Sequence, residues 1–174
     1  MNATETTLLI LGIILGLYIL TIALDAIFIL SFRRIFKKHN TALCVMLHTK
    51  YENIKKLVEL LNKAEVAVPF KYIEILNGIN ANSFKDQELP ECVQARNDLA
   101  YLKNELVYMV NNEEKLTKNL EVKRAKDAIT EMDANYRTLV SMYNADALGY
   151  NYWINFLPTK WVKYLFRLKE KTII

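Results

Sequence analysis

Cys44 and His48 stand four residues apart, a spacing that puts a thiolate and an imidazole on one helical face and supplies half of a tetrahedral metal site. Two ligands do not close such a site. His39 lies toward the N-terminal side and Cys92 falls on a different predicted helix, so no metal is expected, and isolated cysteines read as small hydrophobes. Glu52, Glu59, Glu65 and Glu74 interleave with lysines at helical spacing, the pattern of a solvated face with modest ion pairs rather than a general acid and base. Neither histidine has a nucleophile motif around it, and the chain contains no G-x-S-x-G, P-loop or dinucleotide fingerprint. Neither catalysis nor a cofactor is expected.

The elements that would position any side chain are helical. The chain has 174 residues, of which 52% are hydrophobic, while Gly and Pro number only 4 and 3, a composition that argues against turn-rich β folds and low-complexity disorder. Two cysteines cannot form a disulfide framework. The fold class expected is all-α. Charge is distributed unevenly: Glu5 and Asp25 are the only charged residues before Arg33, and 17 acidic against 23 basic residues follow.

Residues Thr7 to Leu24 form an uncharged run of eighteen residues, long enough to cross about 27 Å of hydrocarbon as a helix. Acidic Glu5 leads it, while Arg33, Arg34, Lys37 and Lys38 trail it, the reverse of a secretory signal. This predicts an uncleaved transmembrane anchor over 7–32, with core 7–24, after a short extracytoplasmic tail over 1–6. The positive-inside rule places the N-terminus outside and everything after Arg33 in the cytoplasm, so the expected location is the cell membrane, single-pass. Asp25 reads either as a residue near the headgroups or as a deeper functional carboxylate. Gly12 and Gly16 form a GxxxG, which either packs two anchors into a homo-oligomer or reflects the general abundance of small residues in membrane helices. The Asn2-Ala3-Thr4 sequon matters only in a glycosylating host.

The segment 33–158 predicts a bundle. Leu43, Leu47, Tyr51, Ile54, Val58 and Leu61 step by three or four, and Val68 closes the run before Pro69. In the next segment Ile73, Leu76 and Ile79 share a face, with Gly78 weakening its end. Residues 85–90 read as a loop, and a third helix carries Ala95, Leu99, Leu102, Leu106 and Met109. The last helix is the most regular: Val122, Ala125, Ile129, Met132, Tyr136, Leu139, Tyr143, Asp146, Tyr150, Trp153 and Leu157 alternate steps of three and four. Asp146 is the polar member of that coiled-coil-like seam, and Tyr136, Tyr143 and Tyr150 read as core amphiphiles. Four amphipathic segments with short connections predict an antiparallel four-helix bundle.

Counting helix directions brings the C-terminus back to the bilayer. There the basic aromatic tail 159–174 places Lys160, Lys163, Arg167 and Lys171 at helical spacing beside Trp161, Leu165 and Leu168, which predicts a short basic helix suited to an anionic interface. The same apolar face would serve equally to cap the bundle.

Several of these residues also form a pattern. Tyr143-Asn144, Tyr150-Asn151 and Pro158 resemble the paired Tyr-Asn motifs and following Pro of the LemA family of bacterial membrane-anchored helical proteins. Leu47, Tyr51, Ile54, Leu57, Val58 and Glu59 are similar to its segment L-x-x-R-Y-D-L-I-P-N-L-V-E, and Leu116 and Asn119 to its L-K-A-N. The chain departs from the family at Lys55, where the Pro before L-V-E would fall, at Glu113 and Glu114 in place of Tyr-Pro, and at Leu139 and Val140 in place of Ala-Arg. The resemblance is to a divergent member and implies an N-terminal anchor, a four-helix bundle and no established enzymatic activity.

The function expected is that of a non-enzymatic scaffold or interaction module with protein partners on the cytoplasmic membrane face. The alternative is a structural protein that organises membrane lipids through its tail. Nucleic acid is not an expected partner, because outside the two membrane-proximal clusters the charges are mixed rather than gathered in a stripe.

Overall fold

A computed structural model describes residues 2–156 and 160–174, the side chain of Trp161 excepted. The described residues are all-helical, with no strand among them. The first helix, α1, spans Ala3–Lys63 without a break. No Gly or Pro occurs between Gly16 and Pro69, so nothing in the sequence separates the apolar leader from the amphipathic segment that begins at Leu43. The leader and that segment, expected as successive elements, are one helix of 61 residues.

α1 ends in a Schellman motif. The Val66 N–H donates to Leu61 O at 3.1 Å and the Glu65 N–H to Asn62 O at 3.1 Å, with Glu65 at φ 57° in the position usually given to Gly. α2 follows over Phe70–Gly78, preceded by Pro69 and tied to the next long helix by the Tyr72 hydroxyl, 2.7 Å from Glu105 Oε2. That bond, with burial and the nearby charge of Glu105, pushes the Tyr72 phenol up to about 12.

A 3-10 segment, Ala81–Lys85, leads into α3. The stretch read as a plain loop is pinned at several points. Asn40 donates from Nδ2 to Lys85 O at 2.7 Å, and Gln87, fully buried, donates from Nε2 to Phe84 O at 2.9 Å. α3 spans Pro90–Asn112 with Pro at its first turn, where the missing N–H costs nothing. α4, Glu114–Lys118, is a single turn, and α5 spans Leu120–Asn155. α6, Lys160–Leu165, is the last element.

The chain divides into two compact units, residues 1–37 with 144–173, and residues 38–143 with 174. The second unit holds the larger core. Leu47, Ile54 and Leu61 of α1, Leu99 and Leu106 of α3 and Ile129 of α5 belong to one buried cluster, each at 1% exposure or less. Each such side chain contributes about 2 kcal/mol of hydrophobic stabilisation on burial. In the first unit, Ile29 and Phe36 of α1 and Ala147, Tyr150 and Ile154 of α5 are buried.

The seam read along α5 is present but drifts. Val122, Ile129, Tyr143 and Tyr150 are buried as expected, whereas Ala147 and Ile154, rather than Asp146 and Trp153, are the fully buried residues at their steps. A straight helix at 3.6 residues per turn rotates about 20° per heptad relative to a strict seven-residue repeat, which moves the buried face one residue onward. Asp146 is half-buried and engaged with neighbours.

Candidate functional site

The first unit gathers aromatic rings where α5 meets α1. Phe28 stacks on Trp153 with ring centroids 5.6 Å apart and planes 10° from parallel. Tyr150 meets Phe32 and Phe36 edge-on at 6.4 and 5.5 Å. Trp153 in turn contacts Tyr152 and Phe156, which stack on each other at 5.5 Å. Burial raises the Tyr150 phenol above its ordinary value, opposed by the charges of Arg33 and Lys163.

The expected basic helix over the tail is cut short. α6 ends at Leu165, where a second Schellman motif forms: Leu168 N–H donates to Lys163 O at 2.9 Å, and Arg167 takes φ 48°. Once Arg167 reverses the chain, Lys160, Lys163, Arg167 and Lys171 no longer line one helical face. The remainder folds back onto α5. Asn151 holds the Lys171 backbone from both sides, donating from Nδ2 to its carbonyl and accepting its N–H at Oδ1, each at 2.8 Å. Lys163 Nζ lies 2.7 Å from Asn155 Oδ1 and 2.8 Å from Glu170 Oε1, and the hydrogen bonds Glu170 accepts from Lys163 and, at 3.1 Å, from Asn155 Nδ2 hold its carboxyl below its usual range.

Other predicted residues are placed singly. Arg33, Arg34, Lys37 and Lys38 are exposed on α1, as is Lys160 on α6. A Cβ added at Gly12 or Gly16 would meet nothing within 4 Å, so their face of α1 is open. Pro158 and the Trp161 side chain lie outside the described residues.

The residues that carry the family resemblance have architectural roles where these are visible. Asn119 Oδ1 accepts the Glu121 and Val122 N–H groups at 3.0 and 3.3 Å, capping α5. Tyr143 is buried with its hydroxyl 3.4 Å from Glu88 Oε1, and burial, then the charge of Glu88, push its phenol up to about 12. Asn151 is the tail clamp, and Asn144 is half-buried on α5. Lys55 is an exposed residue within the unbroken α1.

Sequence reasoning missed the second unit's ion cluster. Lys50 Nζ lies 2.6 Å from Asp133 Oδ1, and Lys103 and Arg137 approach Oδ2 of the same carboxylate at 3.4 and 3.3 Å. These groups, with Arg96 and Ile174, line a cleft of about 340 Å³. Burial pushes the Asp133 carboxyl up, but the Lys50 hydrogen bond and charge, with Lys103, outweigh it and hold it below its ordinary value. It is therefore an ionised counter-ion at neutral pH and has no proton to give. The available signal was positional: Lys50 falls between Leu47 and Ile54, at seven residues from both Leu43 and Leu57.

Of the groups considered for a metal, Cys44 packs against the core, His48 is exposed, and Cys92 is fully buried, its thiol pushed up by burial. Among the described residues no three His, Cys, Asp or Glu side chains gather as a metal site. No family model, curated protein or solved structure matches the chain.

Proposed function

We propose that the chain is a single-pass membrane protein whose second unit is a recognition module. The observation that carries this reading is on α1: its most apolar stretch has a mean hydropathy of 2.6, and none of it is buried by the rest of the chain. An apolar surface of that extent on a helix long enough to span has the bilayer as its natural solvent. Exposed Arg33, Arg34, Lys37 and Lys38 on its C-terminal side favour a cytoplasmic placement of the chain beyond them.

Beyond the anchor, the shared core of α1, α3 and α5 with α2 alongside supports a four-helix arrangement of the kind the LemA resemblance implies. The module is read as a non-enzymatic scaffold. It carries an open cleft of about 420 Å³ between α1 and α5, lined by Lys56, Glu59, Lys63, Glu121 and Arg124 with Ala125 and Ala128. Small residues flanked by fixed charges of both signs offer a partner contact area and register.

The test is extraction of the tagged full chain in mild detergent, with co-purifying proteins compared against those held by residues 1–38 fused to an inert domain. The expected result is a protein retained only by the full chain and lost in K56E/K63E/R124E without loss of helicity. A partner retained by that variant, or an identical set of proteins on both baits, would sink the cleft's role.

A further inference from the structure

We infer that the aromatic residues at the end of α5, with Tyr164 of α6 and Phe166 just past it, form a collar seated in the bilayer's headgroup boundary, giving the chain a second, interfacial attachment that fixes the depth of α1. This rests on the reading of α1 as a span.

The depth follows from the ring contacts. The uncharged run ends at Leu24 and the first cation is Arg33, so the edge of the hydrocarbon falls between them. Phe28 is four residues beyond Leu24, about 6 Å along the helix, and Trp153 stacks on it. Whatever packs against Phe28 is held at that edge. Trp and Tyr, with apolar bodies and polar tips, are the side chains that favour this zone.

The outward surface there is apolar and aromatic. Tyr152 is 61% exposed, Phe156 43%, and on α6 and just past it Tyr164 and Phe166 are 71% and 60% exposed, with Leu165 at 79%. Scattered exposed hydrophobes need no explanation, but five in one short region of the unit that also carries the bare apolar helix do. A water-facing role would leave all of them wet; a bilayer edge continuous with the span covers them.

The attachment is aromatic rather than polybasic. Lys163 is held by Glu170 and Asn155, and the left-handed turn at Arg167 ends α6, so the tail's cations do not line one helical face as their spacing predicts. Binding should therefore persist on zwitterionic lipid and in high salt, unlike that of a polybasic segment.

Trp153 lies in this region, and the chain's other tryptophan is Trp161, so replacing Trp161 leaves an intrinsic fluorescence that reports on the collar directly. The full chain and its W161F variant, matched to wild type by circular dichroism, are reconstituted into phosphatidylcholine vesicles containing lipids brominated at shallow or deep acyl positions. Flotation after alkaline washing checks the anchor first. The expected result is that the protein floats and that Trp153 emission is quenched several-fold more by shallow than by deep bromine, unchanged by 1 M NaCl or added anionic lipid, and that Y152S/F156S weakens the quenching while the protein still floats.

Failure to float would overturn the span and the collar together. Flotation with Trp153 unquenched by bromine and open to aqueous acrylamide would overturn the collar alone. Trp153 shielded from both quenchers in a manner that varies with protein density would also overturn it, assigning the surface to a second copy. Should W161F fail to match wild type, the two-tryptophan protein is decisive, because emission unquenched by any brominated lipid rejects the proposal.

Discussion

Lys50 Nζ and Asp133 Oδ1 are 2.6 Å apart, joining α1 to α5 inside the second unit, with only 3% of Lys50 exposed. Lys50 occupies a step that is otherwise apolar, with Leu43 and Leu57 one heptad to either side. Removing a charge pair from water costs several kcal/mol per ion, so such a pair adds little net stability while penalising any register that leaves it unpaired. The pair is thus better placed to select how α1 and α5 align than to hold them together.

Replacing the carboxylate alone should cost far more than replacing it together with its buried cations. D133N leaves the Lys50 ammonium buried without its counter-ion, and Lys103 with it, and is expected to destabilise by about 3 kcal/mol, whereas K50M/K103M/D133L, apolar at all three positions, should fall within about 1 kcal/mol of wild type. Thermal and denaturant unfolding of the full chain in detergent, followed by circular dichroism, gives both values. If the triple variant is as unstable as D133N, the cluster is a stabiliser and the alignment argument fails.

Acid should act through the same carboxylate. Asp133 is held below its ordinary value of 3.8 in the folded chain, so the native state binds its proton less tightly than the unfolded state does. Its contribution is therefore fully present above that ordinary value and is lost as pH falls through the lower native value. The difference in melting temperature between wild type and D133N should be constant from about pH 7 to pH 5 and shrink below about pH 4. A difference that does not change with acid would mean that Asp133 is not the titrating group.

These residues show what the sequence could and could not disclose. Apolar steps such as Leu47, Ile54 and Leu61 or Leu99 and Leu106 locate the core because hydrophobic burial is strong and repeats with the helix. Lys50 and Asp133 escape the same rule, since a charged side chain reads as solvated until its partner from a distant helix is known. The tail fails for another reason. Its cations are correctly spaced for a helix, but Arg167 takes a left-handed conformation that spacing does not encode, and Asn151 captures Lys171 from twenty residues away. Asn119 was legible as part of a motif, and its role as the α5 cap needed the backbone N–H groups of Glu121 and Val122 to be placed.

The end of α1 offers a stabilising change. Glu65 holds a left-handed backbone, φ 57°, that Gly adopts without a Cβ penalty. E65G should raise stability by about 0.5 to 1 kcal/mol, the gain at the folded turn being partly offset by the greater freedom of Gly in the unfolded chain. E65A, which keeps the Cβ, should not. Unfolding of the three proteins under identical detergent conditions separates the conformational effect from loss of the carboxylate.

Asn151 makes two hydrogen bonds to one backbone residue, so N151A should release the chain end without disturbing the core. Each bond contributes about 1 kcal/mol, and the loss of both should speed amide hydrogen exchange at Lys171 by about thirtyfold, with trypsin cleaving sooner after Lys169 and Lys171. Exchange in α3 should be unchanged. Unaltered exchange at Lys171 would mean that the Lys163 and Glu170 contacts hold the segment by themselves.

Orientation has a direct test on the short helix between α3 and α5. Lys115, exposed on α4, is replaced by Cys in a C44A/C92A background that removes both native thiols. With the basic residues Arg33 to Lys38 retained inside, K115C should resist a membrane-impermeant maleimide in intact cells and react fully once the membrane is permeabilised. T4C, at the N-terminal end of α1, should react in intact cells as fully as in permeabilised ones. Labelling of K115C in intact cells would invert the topology, and equal labelling of both positions in intact and permeabilised cells would remove the single-pass assignment, because one span must place these two thiols on opposite sides.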